Sequence, residues 1–443
     1  MTRPSSSLRR LADVLDCIVD ERVGIVRYVR EAYRQAGEPD FFHFYAQTGN
    51  TKAFSRQESF SRTGGASVDR GLAIAKAVGE AVERYCGALY EVEELPLSSY
   101  DAAPFQCVAP EEFALYSAEQ YASPDFMFVP FERDTPVRWT PARDPMTDEV
   151  WHVPAAMVFV PYYFYRETGD RPICQPISTG LACHCSVAEA ALAAVCEVIE
   201  RDAFTITWQA RMARPHLRVE TLSRENRDLV LRIERAGYRV TLFDMTSDVG
   251  VPAILAVSRS DAPEAPPLAV AGAASLAPEQ AVRKSLEELE HTRAYCQIIK
   301  RHVPRLAHDA LHRQVTDQQD HLNFWCDNAN LPLADFLFAS SERVAFGELA
   351  NCATGHPARD LEHLVGRVRA AGHRVLLCDL TTPDVRELGL SVVRAIIPGF
   401  HPFFVGYGYR ALGGTRLWEI PQTLGYPGIS RESGDNPAPH PYP

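Results

Sequence analysis

Two stretches of this chain repeat one pattern in one apolar frame. Ala77-Val78-x-Glu80-x-Val82-Glu83-Arg84 returns as Ala194-Val195-x-Glu197-x-Ile199-Glu200-Arg201, an offset of 117 residues. On a helix, positions i, i+3 and i+4 share a face, so Glu80, Glu83 and Arg84 project together, as do Glu197, Glu200 and Arg201. The opposite faces are apolar, and neither helix can expose both sides to water. One such pattern alone reads as a solvated ion pair on a helix surface. Two copies in matching frames, flanked by Ala and Gly rather than Lys, read as a site. Four carboxylates from two helices repel one another unless hard cations neutralise them, and Mg with its preference for oxygen is the natural partner. Carboxylates, Mg and arginines together imply phosphate.

Composition narrows the partners. Asp and Glu total 57 against 45 for Lys and Arg, a formal charge of −12, and no basic stripe suited to a phosphate backbone is present. Nucleic acid is therefore not expected. Charges at Arg3, Arg9, Arg10, Asp13 and Asp16 break any export signal, and the apolar run Val153 to Tyr165 is interrupted by Pro154 and Pro161. The expectation is a cytoplasmic protein with no membrane span. Eleven cysteines at irregular spacing suit reduced thiols. The densest group, Cys183-His184-Cys185, lacks the spacing of a zinc site and is read as pocket wall.

A second repeat bears on the fold. Ala236-Gly237-x-Arg239-Val240-x-Leu242-x-Asp244-x-Thr246 matches Ala371-Gly372-x-Arg374-Val375-x-Leu377-x-Asp379-x-Thr381 at an offset of 135 residues, with seven identities in eleven positions. Each copy reads as a helix ended by glycine and followed by a strand. The expected class is α/β (α+β), with pseudo-symmetric duplicated αβ units. Val251 to Arg259 and Leu268 to Ser275 read as paired strands, Pro278 to Lys300 as a long helix, and residues 391 to 405 as a further strand. No linker composition appears, so one interlocked catalytic fold over 61–443 is expected after an N-terminal extension, 1–60. Residues 430–443 form a Pro-rich tail, and Glu432 to Pro443 is too rich in Pro, Gly and polar residues to pack as an element.

No Gly-x4-Gly-Lys-Ser/Thr or dinucleotide fingerprint is present, so a nucleotide site must be built another way. In the helix at 278–300, Arg283 and Glu287 lie one turn apart and could complete it. At this point the chain resembles the YcaO family. The resemblance is carried by Gly64-Gly65-Ala-Ser67 leading into Ala77 to Tyr85, and by Ser178-Thr-Gly-Leu-Ala182 leading into Glu189-Ala190 and Cys196 to Asp202. Pro398-Gly-Phe-His-Pro402 and Pro437-Ala-Pro-His-Pro-Tyr-Pro443 agree with it.

The resemblance implies a YcaO-like fold around an ATP and Mg site. By position, Glu80, Glu83, Glu197 and Glu200 would be the Mg ligands, with Glu189 supporting them. Arg84 and Arg201 would meet the phosphates, and Arg283 and Glu287 would approach from the third helix. The alternating prolines resemble the tail of azoline-forming cyclodehydratases of ribosomal peptide pathways, placing Pro443 and His440 in the catalytic centre, where they would assist proton transfer. The implied reaction is ATP-dependent cyclodehydration of Cys, Ser or Thr in a precursor peptide. With about sixty residues ahead of the family region, no leader-binding domain is expected in the chain. The implied partners are then a ubiquitin-activating-enzyme-like leader-binding protein and a flavin dehydrogenase, with homodimerisation. Two alternatives stand beside this: a YcaO-like enzyme forming thioamides or amidines, and a non-catalytic scaffold subunit. The chain departs from the family pattern at Lys76, at Gly65-Ala66 and at Cys183-His184-Cys185.

Overall fold

The structure, a computed structural model, describes residues 14–443 except 36, 60 and 308. The chain folds into two units: Met1–Tyr33, Phe42–Val198 and Thr354–Phe400 make the first, and Arg34–Phe41, Ile199–Ala353 and His401–Pro443 the second. Sequence reading expected one interlocked fold and found no linker, and the structure supplies the reason. One crossing lies between Val198 and Ile199, inside the helix Val187–Gln209, where helix-forming residues stand in place of a loop.

In the first unit, β1 (Val26–Glu31), β2 (Phe42–Thr48) and β3 (Arg62–Ser67) form an antiparallel sheet. Residues set apart in sequence as an extension thus supply two of its strands. Helix α1 (Arg70–Gly87) packs on this sheet and is capped by Asp69, whose Oδ1 accepts the Leu72 N–H at 2.9 Å. Ala73, Ala77, Val78, Ala81 and Val82 are buried, which is the apolar face the repeat required.

A six-stranded sheet completes the unit. It runs β4 (Leu97–Ser98), β5 (Val137–Arg143), β13 (Leu376–Asp379), β14 (Ser391–Ile396), β7 (Leu181–His184), with β6 (Val150–Pro154) paired to β5. The aromatic run Phe159 to Tyr165 contributes Phe159 and Tyr162 to the core packed on β5 and β6, with Phe164 and Tyr165 against it.

In the second unit, a five-stranded sheet has the order β11 (Leu268–Ala274), β10 (Ala253–Arg259), β9 (Arg239–Asp244), β8 (His216–Leu217), β12 (Arg343–Val344). The strand pair expected from sequence is β10 and β11, antiparallel from Ala253↔Ala274 to Arg259↔Leu268. Every residue of β11 and all but Arg259 of β10 are buried, as strands covered on both faces must be. The long helix α4 (Pro278–His302) packs on them, with Pro278 in its first turn.

Both copies of the second repeat form the same local structure. The helix α3 (Arg224–Arg235) leads through Gly237 at φ 90° into β9, and α5 (Pro357–Ala370) leads through Gly372 at φ 87° towards β13. The remaining labelled helices are α2 (Val187–Gln209) and α6 (Arg416–Thr423).

The Pro-rich segment departs from expectation. It has no helix or strand, yet Asn436, Ala438, Pro439, His440, Pro441 and Tyr442 are buried. Proline fixes φ and removes a donor, so an extended run loses little entropy on ordering and offers its carbonyls to partners. Trp208 Nε1 donates to Ala438 O at 3.0 Å, and Trp325 Nε1 donates to Pro439 O at 2.9 Å. Packing here comes from partners elsewhere in the unit, not from local pattern.

Near this segment lies a buried ionic pair. Arg416 meets both carboxylate oxygens of Asp202, Nε to Oδ1 at 2.9 Å and Nη2 to Oδ2 at 2.7 Å, and also pairs with Asp248 at 2.8 Å. Asp202 is fully buried and also accepts the His401 N–H at 2.8 Å. Removing one partner of such a pair strands the other charge, so Asp202→Ala is expected to destabilise the second unit by about 3–5 kcal/mol in urea denaturation.

Candidate active site

In the first unit, helix geometry and three backbone donors fix three of the expected carboxylates. Glu80 Oε2 accepts the Gly64 N–H at 3.2 Å from β3, and its Oε1 pairs with Arg84 Nη2 at 3.1 Å. Glu83 Oε1 accepts the Cys183 N–H at 2.8 Å from β7. Glu197 Oε2 accepts the Gly180 N–H at 3.0 Å from the turn before β7. That turn needs glycine: Gly180 has φ 84°, and a Cβ there would meet Ala395 O at 2.6 Å. Each carboxylate therefore spends one oxygen on its own scaffold.

The three carboxylates crowd one another. Burial, then the Glu80 carboxylate, raise the Glu83 pKa well above the usual range; the Cys183 N–H and Arg84 oppose this, and Glu197 adds to it. Arg84 is the ion-pair partner of Glu80, and three carboxylates share its neighbourhood. Burial also pushes the Cys183 thiol up, with Glu83 adding to it, which makes it a poor nucleophile.

Glu189 sits in the first turn of α2. Its Oε2 accepts from Ser186 Oγ at 2.8 Å and lies 3.1 Å from His184 Nδ1. Ser186 Oγ in turn accepts the Glu189 N–H at 3.3 Å, as a helix N-cap does. His184 of the Cys-His-Cys run is thus tied to a helix start.

In the second unit, Glu200, Arg201 and the Pro-rich segment come together. The Tyr442 hydroxyl donates to Glu200 Oε1 at 2.5 Å. Arg201 Nη1 donates to Pro443 O at 2.7 Å, and its guanidinium carbon lies 4.6 Å from the Phe403 ring centre and 4.7 Å from that of Tyr442. The Tyr442 hydroxyl occupies the space over Gly272 of β11. Arg283 and Glu287 pair on α4, Nε to Oε1 at 3.2 Å, with Glu287 buried. Sequence reading missed Tyr442 as a contact of Glu200, and no local pattern could have revealed it.

His440 is held on every side. Its Nε2 lies 2.8 Å from Phe404 O, its Nδ1 accepts the Tyr442 N–H at 3.3 Å, and its ring stacks 3.9 Å from that of His321. His321 Nδ1 meets His440 O at 3.0 Å, and its Nε2 accepts the Gly406 N–H at 3.2 Å. Neither ring nitrogen of His440 is left for a substrate proton, so its place in this structure is to hold the segment.

Burial lowers the His321 pKa to about 4, opposed by the bond to His440, and lowers that of His401 to about 4, opposed by Asp202. An unfolded histidine titrates near 6.5, so between those values the unfolded chain binds more protons than the folded one. Stability is full above pH 6.5 and falls as pH drops towards 4, by about 3 kcal/mol per histidine over the window. Urea titrations at pH 7 and pH 5 should show the lower midpoint at pH 5.

Among the described residues, no three His, Cys, Asp or Glu side chains converge closely enough to hold a metal unaided. Mg fits this arrangement, since it keeps waters and is bound through one or two carboxylates plus phosphate oxygens rather than by an all-protein shell. The oriented, mutually repelling oxygens of Glu80, Glu83 and Glu197 suit that hard cation.

A mixed α/β fold carrying paired acidic helices and no standard nucleotide motif is a distinctive class. The description of the YcaO cyclodehydratases, binding ATP and Mg2+, matches residues 64–401. This chain belongs to the YcaO family, whose members use ATP and Mg2+. A Methanothermobacter thermautotrophicus protein of uncharacterized role is 27% identical over 417 residues, 91% of this chain and 95% of that protein. Among solved structures, a heterocyclase in complex with substrate and cofactor has a TM-score of 0.79 at 20% identity over 98% of this chain. This chain spans only 57% of that heterocyclase's length. YcaO from Methanopyrus kandleri, bound with AMPPCP and Mg2+, has a TM-score of 0.62 at 21% identity, covering 89% of each chain. A chain of the E. coli microcin synthetase McbBCD complex with pro-MccB17 bound has a TM-score of 0.57 at 16% identity, covering 94% of this chain and all of its own. Among the described residues, no helix is long and apolar enough to cross a membrane.

Proposed function

We propose that this protein is an ATP- and Mg-dependent cyclodehydratase that converts Cys, Ser or Thr residues of a ribosomally made precursor peptide to thiazolines or oxazolines. The observation that carries the reading is the group Glu80, Glu83 and Glu197, each with one oxygen fixed by a backbone N–H and with like charges brought close together. Glu200, one turn from Glu197 on α2, joins the ligand set by helix spacing. Arg84, Arg201, Glu189, Arg283 and Glu287 complete the nucleotide-facing residues. Bound there, Mg-ATP supplies the phosphoryl group that turns the peptide amide oxygen into a good leaving group.

The chain's own residues have separate tasks in this reading. Glu80, Glu83 and Glu197 orient and hold. Arg201 fixes Pro443, and Tyr442 fixes Glu200, so the Pro-rich segment aligns groups at the peptide-facing end. His440 acts by clamping that segment. The two repeats fit an old duplication of an αβ unit. Partners in this reading are the precursor peptide, a leader-binding protein of the ubiquitin-activating-enzyme-like type and a flavin dehydrogenase, with homodimer formation.

The test is incubation with ATP, Mg2+, the precursor peptide and the leader-binding protein, followed by mass spectrometry. Loss of one water per modified residue, with stoichiometric phosphate release, supports cyclodehydration. Exchange of oxygen for sulfur assigns a thioamide-forming enzyme instead. An unchanged peptide with no phosphate release assigns a scaffold subunit.

A further inference from the structure

Arg394, in the middle of β14, is 3% exposed and has no ion-pair partner within 4 Å among the described residues. Its Nη2 donates to Met157 O and Ile177 O, both at 2.8 Å. Its Nε and Nη1 are buried without an acceptor. A guanidinium carries five N–H donors and stays charged, so three of them are unused in the interior. Native structures rarely leave such a group without a reason.

The surroundings supply one. Burial lowers the Arg394 pKa to about 10, with the Glu197 carboxylate opposing that fall and Arg84 adding to it. Ala395, the next residue, donates its N–H to Gly180 O at 2.7 Å, and Gly180 donates to Glu197 Oε2. Residues 394 and 395 thus hold the turn from Ile177 to Gly180 at both ends, and that turn holds Glu197. We infer that Arg394 is a positioning residue for Glu197: it anchors the turn that orients this carboxylate and supplies the interior positive charge that balances it. The inference rests on the nucleotide site proposed above. It assigns Arg394 no contact with substrate.

Loss of residues that orient a metal ligand typically weakens metal binding about 10–100-fold. Calorimetric titration with Mg2+ and AMPPCP should therefore give binding about tenfold or more weaker for Arg394→Met, which keeps bulk but loses charge and donors. Arg394→Lys, which keeps the charge and can reach toward the two carbonyls, should recover to within about threefold of wild type. Near-UV circular dichroism establishes that each variant is folded, and Arg394→Gln serves as the uncharged variant if methionine does not fold. Binding by the uncharged variant equal to wild type overturns the inference, as does a folded lysine variant no better than the uncharged one. Absence of binding by the wild-type protein strikes the nucleotide site itself, with the role of Arg394 falling alongside it.

Discussion

Glu83→Gln is expected to raise the melting temperature of the protein alone while abolishing its binding of Mg-nucleotide. The side-chain amide oxygen can keep the bond from Cys183 N–H, so the local fold survives. What disappears is a carboxyl that burial and the neighbouring Glu80 already make costly to ionise. A carboxyl whose folded pKa is raised binds more protons folded than unfolded, so its contribution to stability falls as pH rises above the unfolded value. The variant should therefore gain about 1–2 kcal/mol at pH 8, a few degrees in melting temperature, and less at pH 5. Nucleotide affinity should fall about 100-fold or more, because a cation gains nothing from a neutral amide. Calorimetry and thermal melts on one preparation test both halves. A variant that melts lower and still binds would place the nucleotide elsewhere.

Ending the chain after Asp435 is expected to unfold the second unit rather than merely slow the enzyme. Trp208 and Trp325 would each strand a buried indole N–H, at about 1–3 kcal/mol apiece. Asn436 N–H also leaves Gln209 O, and its side chain leaves Trp208 O. Tyr442 and His440 vacate a buried aromatic cluster formed with Phe204, Phe403 and Phe404. Burial of each such ring is worth about 1.5–3 kcal/mol, so the sum exceeds about 5 kcal/mol, comparable with the whole stability of a domain. Tryptophan fluorescence and near-UV circular dichroism should report the loss. Removing only Tyr442 and Pro443 leaves both indole bonds in place and should keep the fold. An effect of that shorter deletion on turnover would then report on Glu200 and Arg201. A long truncation that stays folded would make the segment a dispensable arm.

The acidic helices were legible because their signal is periodic. Glu80, Glu83 and Arg84 fall on one face wherever the helix goes, and Ala77, Val78 and Val82 on the other, since 3.6 residues per turn leave no other choice. The strands β10 and β11, the proline at the start of α4 and the two helix–glycine–strand units were legible for the same reason: each is written in contiguous residues. The two-unit division was not, because its boundary at Val198 and Ile199 runs through the middle of a helix with no local mark.

The sequence by itself determined which residues share a helix face, that the chemistry is acidic and cation-seeking, and that the family is YcaO. Only the tertiary structure decided which donors hold those acids. Gly64, Cys183 and Gly180 reach Glu80, Glu83 and Glu197 through backbone N–H groups, which any residue type carries and no composition reveals. It also decided that Pro439 and Pro441 are buried, that two tryptophans bond the carbonyls of Ala438 and Pro439, and that both ring nitrogens of His440 meet backbone groups. A side chain's partners lie up to hundreds of residues away, and a local pattern fixes the direction in which a group points but not what it meets.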